Sequence, residues 1–200
     1  FRPFLTAAEI PSRCRSMPLQ RAMTDFGADH AFGQVPSKLR EHYGIEMPDS
    51  TIRNITEFHA QQMHAQQKEV IEPFNSNGCA VLVAEIDGCM LPMVTLGEEE
   101  GDKRKQKTLH WQEARLALAH EQGCTTPKFA ATFGGSVDDA GQALRNCAVA
   151  AGFGTQTQLH SVGDGAIWIA LQVKRQFGAQ GHYLVDFYQV GEYLGAAAPI

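Results

Sequence analysis

Cys79-Ala-Val-Leu-Val-Ala-Glu-Ile-Asp87-Gly88 decides how the rest of the chain is read. A nearly unbroken apolar run that ends in an acid and a glycine is the pattern of a strand buried on both faces of a sheet. Met90 to Leu96 reads as a second strand, paired to the first through a turn at Asp87-Gly88. Acidic Glu98-Glu99-Glu100 and basic Lys103, Arg104, Lys105 and Lys107 then form an exposed loop. On charge alone, that basic run is a solvated loop. Trp111 to Glu121 stays open between a helix, which its residues favour, and a third antiparallel strand, which its position favours. Lys128 to Phe133 would continue that strand.

Further along, Ser136 with Asp139 three residues on predicts a capped helix. Val137, Ala140, Leu144, Ala148 and Ala151 form its expected buried face, and Gly152 ends it. Gln158 to Val162 reads as a short strand running into Gly163-Asp164-Gly165. A helix over Ala166 to Phe177, stopped by Gly178, and a strand over His182 to Tyr188 complete the pattern. Strands, then alternating helices and strands, predict an α/β fold: a mixed sheet with flanking helices.

Working outward to the N-terminal side, Pro73 to Gly78 is turn-rich and marks a boundary. Residues 17 to about 72 read as helical, which divides the chain into segments 1–72 and 79–200. Thr24 to Tyr43, interrupted by Gly27, Gly33 and Pro36, predicts two short helices. Val35, Leu39 and Tyr43 share one face of the second, and Gly44 follows as its C-cap. A longer helix runs from about Ser50 to Val70, with Asp49 as N-cap and Ile52, Ile55, His59 and Met63 as its buried stripe. Two helices joined by a tight glycine-containing turn have the outline of a helix-turn-helix, and equally of an ordinary helical hairpin. In the first case Ser50, Thr51, Arg53 and Asn54 would meet DNA.

The net charge of −5 argues against a surface devoted to nucleic acid, though not against a local patch. No apolar run approaches the roughly 20 residues of a membrane span, and no signal peptide is visible. The chain lacks an initiator Met and an obvious terminal element, so it reads as part of a longer protein. Five cysteines, at 14, 79, 89, 124 and 147, contain no C-x-x-C pair, which disfavours a zinc site and suits a reducing cytoplasm. Cys79 and Cys147 fall in apolar patterns and read as small core residues. The eight histidines form no ligand pattern, and His59 and His64 do not share a helix face well.

Asp87 and Asp164 are the chemically informative pair. Each closes an apolar strand and is followed by glycine. Strand ends of a central sheet converge in space, and two carboxylates so placed are stable together when a divalent cation sits between them. Mg²⁺ takes one or two carboxylates plus substrate phosphate, and paired ions support phosphodiester chemistry. Read alone, an Asp-Gly pair is more often a turn.

Several stretches resemble the ISKra4-type transposases, a group related to the Mutator class of DDE recombinases. They are Thr24-Asp-Phe-Gly-Ala-Asp, Leu39-Arg-Glu-His-Tyr-Gly-Ile, Glu85-Ile-Asp-Gly, His110-Trp-Gln-Glu-Ala-Arg-Leu and Ala130-Ala-Thr-Phe-Gly. Val162-Gly-Asp-Gly-Ala-Ile-Trp-Ile and Phe177-Gly-Ala-Gln-Gly-His-Tyr-Leu-Val-Asp-Phe-Tyr follow. Each is modest alone; they occur in the expected order over nearly the whole chain. The resemblance implies a ribonuclease-H-like catalytic domain, C-terminally incomplete, behind a helix-turn-helix segment. It implies DNA cleavage and strand transfer at transposon ends, with Mg²⁺ or Mn²⁺ as a two-metal cofactor. Asp87 and Asp164 would be catalytic acids and metal ligands. DNA would be the partner, a homo-oligomer a possible assembly, and the bacterial cytoplasm, at the nucleoid, the location. The third acid is expected beyond Ile200, with Glu192 a formal candidate. Asp186 is expected to be structural, and Gln189 stands where the family has histidine. Trp168 is expected in the core or a groove, and Cys14 is a conceivable remnant of a zinc segment. The alternative reading is a non-catalytic DNA-binding protein derived from a truncated or domesticated transposase.

Overall fold

A computed structural model describes residues 15–66, 76–97 and 106–198. Cys14 and most of the basic run, Lys103 to Lys105, lie outside them. The chain divides into two compact units, Phe1–Lys68 and Glu69–Ile200.

Among the described residues the first unit holds three α-helices: α1 (Met17–Asp29), α2 (Val35–Tyr43) and α3 (Asp49–Gln66). Gly27 was expected to interrupt a helix, but it lies inside α1. A Cβ there would come within 2.4 Å of Thr56 Oγ1 on α3, so the glycine serves close helix packing rather than a break. Met23, Val35, Leu39 and Ile52 are fully buried and form the small core. Two expected core positions are corrected: Tyr43 is 57% exposed and Met63 71% exposed. Three helices offer too little facing surface to bury the far end of α3's stripe. Gly44 closes α2 in the left-handed conformation (φ 66°), with Gly44 N donating to Arg40 O at 3.0 Å and Ile45 N to Leu39 O at 3.3 Å. The expected extension of α3 to Val70 falls outside the described residues.

The second unit is a five-stranded mixed sheet with helices against it. Its strands are β1 (Val81–Leu96), β2 (Lys107–Glu121), β3 (Lys128–Phe133), β4 (Gln158–Gly163) and β5 (Gly181–Val185). They lie in the order β3-β2-β1-β4-β5. β1 to β3 are antiparallel neighbours; β4 and β5 run parallel to β1. The helices are α4 (Val137–Ala150), α5 (Ile167–Phe177) and α6 (Phe187–Ala197). No helix among the described residues is long and apolar enough to cross a membrane.

Two sequence expectations need correction, and one that stayed open is decided. Asp87-Gly88 is not a turn: β1 runs straight through it, with Asp87 opposite Leu116 and Gly88 opposite Arg115. Gly88 provides room instead, since a Cβ there would sit 2.7 Å from Glu113 Oε1. Trp111 to Glu121 is strand, because pairing along all of β1 outweighs its helix-favouring residues. The last strand ends at Val185. Asp186 then accepts from Tyr188 N at 2.6 Å and starts α6, so Phe187 and Tyr188 are helical.

The core lies between one sheet face and α4 with α5. Leu82, Ala84, Ile86, Ala117, Ala119 and Leu159 meet Ala140, Leu144, Cys147, Ile169, Val173 and Phe177. Ser136 and Asp139 form the expected reciprocal cap on α4. Val137, however, is partly exposed and Ala151 half-buried. Gly141 faces α5 so closely that a Cβ would meet Gln172 Oε1 at 2.1 Å. Asp138 takes hydrogen bonds from Arg175 and Gln172, which hold its carboxyl below the usual range.

Cys147 donates its thiol to Ala117 O at 3.5 Å, and burial pushes its pKa up to about 11. Unfolding would let the thiol ionise near its ordinary 9.0. Its contribution to stability is therefore intact below pH 9 and lost as pH rises towards 11. Denaturant melts at stepped pH should show wild-type stability falling more steeply over this window than that of Cys147→Ala. Equal slopes would contradict the assignment.

Candidate functional site

The parallel pairing of β1 and β4 places the two aspartates. Val81 pairs with Gln158 and Glu85 with Val162, an offset of 77 throughout (158 − 81; 162 − 85). The same offset separates Asp164 from Asp87 (164 − 87). The ladder stops at Glu85 opposite Val162; Asp87 stands two residues further along β1, and Asp164 stands in the bend that follows the last residue of β4, Gly163. Both line one cleft of about 230 Å³, with Glu85, Ile86, Val162, Gly163, Asp186 and Gln189.

Each carboxylate is oriented by a backbone N–H close by in sequence. Asp87 Oδ1 accepts from Gly88 N at 2.7 Å, and Asp164 Oδ1 from Ala166 N at 2.8 Å. Asp186 does the same with Tyr188 N, and its own N–H donates to Gly163 O at 2.8 Å. That bond ties the end of β5 to the end of β4. The turn after Asp164 depends on Gly165, at φ 97°, whose N–H donates to Tyr183 Oη at 2.9 Å. Gly163 leaves space for that phenol; a Cβ would approach Tyr183 Oη to 2.9 Å. Burial raises the Tyr183 pKa; the Gly165 N–H works against this, and nearby Asp164 adds to the rise. The phenol therefore stays neutral beside the acids.

Glu85, Asp186 and Gln189 join the pair in space. Period-two alternation puts Glu85 on the side of β1 that carries Asp87, a signal legible in sequence. Asp186 needs the tertiary fold, since its N-cap role and its place at the cleft appear together only once β5 lies beside β4. Glu192 lies exposed on α6 and is not among the cleft residues. Trp168 packs partly buried against the core, with the Arg115 guanidinium 5.6 Å from its ring. Among the described residues, no three His, Cys, Asp or Glu side chains come together closely enough to hold a metal ion by themselves.

In the first unit, Ser50, Arg53 and Asn54 are exposed on the first turns of α3, and Thr51 is half-buried. The Arg53 guanidinium is engaged by Glu57, Nε to Oε1 at 2.6 Å. His59 Nε2 lies 2.9 Å from Gln20 Oε1, and His64 is exposed.

Comparison with known proteins finds no family that matches this chain and no curated protein that matches its sequence.

Proposed function

We propose that this chain is part of a DDE-type DNA transposase in which Asp87 and Asp164 hold Mg²⁺ or Mn²⁺ at a phosphodiester. The observation that carries the reading is that Asp87 on β1 and Asp164, in the bend after β1's parallel neighbour β4, line one cleft. The donor set fits. Carboxylate oxygens are hard ligands, and Mg²⁺ commonly takes one or two of them with substrate phosphate and water completing its shell. Once bound, such ions neutralise phosphate charge and activate an attacking oxygen. The protein's part is to fix the two carboxylates through Gly88 N and Ala166 N, and to hold the β4 turn open through Gly165 and Tyr183. A ribonuclease-H-like arrangement is supported by the β3-β2-β1-β4-β5 order, with β2 alone antiparallel to both its neighbours. In the first unit, Ser50, Thr51, Arg53 and Asn54 would contact DNA in helix-turn-helix fashion, with Arg53 exchanging Glu57 for the nucleic acid.

Paramagnetic broadening tests the metal site. Mn²⁺ added at about millimolar levels, a range suited to an ion held by two carboxylates, should broaden amide signals around Asp87, Gly163 and Asp164 first. A duplex should strengthen the effect by adding phosphate ligands. Asp87→Asn and Asp164→Asn should each remove it. Broadening that ignores both substitutions would sink the reading. DNA binding through α3 with no metal effect would point to the non-catalytic alternative.

A further inference from the structure

The strand ladder does not by itself fix Asp87 against Asp164. β4 pairs with β1 only as far as Glu85 opposite Val162. Asp87 and Gly88 lie beyond that point, where β2 is the one strand paired with β1 among the described residues. Asp164 lies in the bend after β4. A contact on the other side of the sheet crosses this gap. Glu113 and Arg115 of β2 belong to the stretch His110 to Leu116 singled out in the sequence, and neither lines the cleft. Side chains alternate along a strand, so Asp87 and Gly88 face opposite sides of β1. Gly88 pairs with Arg115 and faces the helices, as Ile86 and Ala117 do.

Arg115 is 8% exposed, and its guanidinium meets three neighbours. Nη2 binds Glu113 Oε2. Nη1 donates to Gly135 O at 3.4 Å and to Ser136 O at 3.3 Å, just ahead of α4. Arg115 Cζ also stands 5.6 Å from the Trp168 ring centre, within cation–π range. Trp168 is in the first turn of α5, two residues past Ala166, whose N–H holds Asp164. On the β1 side the pair packs over Gly88, whose N–H holds Asp87. A Cβ on Gly88 would sit 2.7 Å from Glu113 Oε1 and 3.4 Å from Arg115 Cγ. One ion pair therefore touches both acid-bearing segments from beneath.

Stability is a poor reason for such a pair. Burying two charges carries a desolvation penalty that their attraction does little more than offset, and apolar residues of similar volume often do as well. Arg115 also keeps a buried Nε with no hydrogen-bond partner among the described residues. What a guanidinium offers over an apolar side chain is direction: a planar fork for a carboxylate and a flat face for an aromatic ring.

We propose that the Glu113–Arg115 pair is a positioning element for the cleft, setting the Asp87 segment against the Asp164 turn through Gly88 and Trp168, a role that rests on the metal reading above. Both side chains act from the helix-covered side and support the carboxylates without lining the cleft. Gly88 is the complement of the pair, since its missing side chain is the room that the pair occupies.

The test uses this chain first without metal and then with Mn²⁺. The double variant Glu113→Gln, Arg115→Met removes both charges at once, leaves neither buried alone, and should melt close to wild type. Without metal, amide hydrogen exchange at Gly88 and Ala166 should quicken about tenfold, while that of Ala84 and Leu159 keeps its wild-type rate. With Mn²⁺, the dissociation constant read from paramagnetic broadening should rise about tenfold, the lower end of what loss of a supporting contact costs a metal site. Arg115→Lys keeps the charge but loses the fork and the flat face, so it should show both effects. It decides the matter if the double variant does not fold. Wild-type exchange at Gly88 and Ala166 in a folded variant overturns the proposal. So does an unchanged Mn²⁺ affinity. A wild-type chain indifferent to Mn²⁺ instead sinks the metal reading, and the exchange rates alone then decide the role of the pair.

Discussion

On the transposase reading proposed above, Asp87→Asn is expected to lower metal-dependent cleavage of transposon-end DNA by about 10³-fold or more. Two carboxylates that hold one metal centre act as a unit, so removing either charge forfeits most of their joint effect. The substitution separates chemistry from folding. Asp87 is exposed, and among the described residues its side chain accepts from Gly88 N at Oδ1, a bond that an amide oxygen can also accept. Asn therefore keeps the shape and the local bond and deletes only the charge. Removing one of two neighbouring like charges should leave thermal stability equal or slightly higher. DNA affinity should hold to within about threefold, since most of it comes from cationic and polar contacts elsewhere. A single-turnover cleavage assay beside a melting curve reads both quantities. Cleavage retained within about tenfold of wild type would remove Asp87 from the site.

Gly78→Ala is expected to cost about 3–5 kcal/mol. Gly78 sits at φ 74°, where an L side chain is strained by about 1–2 kcal/mol. Steric conflict adds to the strain: a Cβ would lie 2.4 Å from Gly154 N and 2.5 Å from Thr157 Oγ1. Backbone cannot swing away as a side-chain tip can. Relief would break the bonds that join this segment to the start of β4, where Thr155 N meets Ser76 O, Gln156 N meets Asn77 O and Thr157 Oγ1 meets Cys79 O. Conflict with fixed backbone belongs to the short list of mechanisms behind large destabilisations. Urea unfolding should show a lower midpoint at unchanged slope. A loss under about 1 kcal/mol would mean that the segment has room to shift.

Much of the second unit was legible in the sequence because its elements carry local signals. Ser136 with Asp139 announced α4, and the apolar run ending at Asp87 announced β1. What misled was the meaning of glycine. Gly88 and Gly27 read as breaks, yet each is present for close approach within a continuous element. A sequence shows that a side chain is absent; the neighbour that needs the space comes only with the fold. The same limit hid Asp186, whose run with Phe187 and Tyr188 continues the apolar pattern of β5 until the N-cap turns it into helix. The pairing of Asp87 with Asp164 could be guessed from two similar strand ends. That β4 lies parallel beside β1 needed the observed ladder. The exposed end of α3 was not visible at all, since an apolar stripe gives no sign of whether anything covers it.

The parallel register has one more consequence. Side chains alternate with period two, so the β1–β4 ladder cannot slide by a fraction of a step. A slip of one residue would bring His160 to the helix-covered face and turn Leu159 and Ser161 out of it. The end of β4, after which Asp164 follows, is therefore placed in discrete steps along β1, set by the packing of Leu159 deep in the core. Changes of length in the connections around β4 can be absorbed by those connections. The register of β4 on β1 has only two options, the native one or a different molecule.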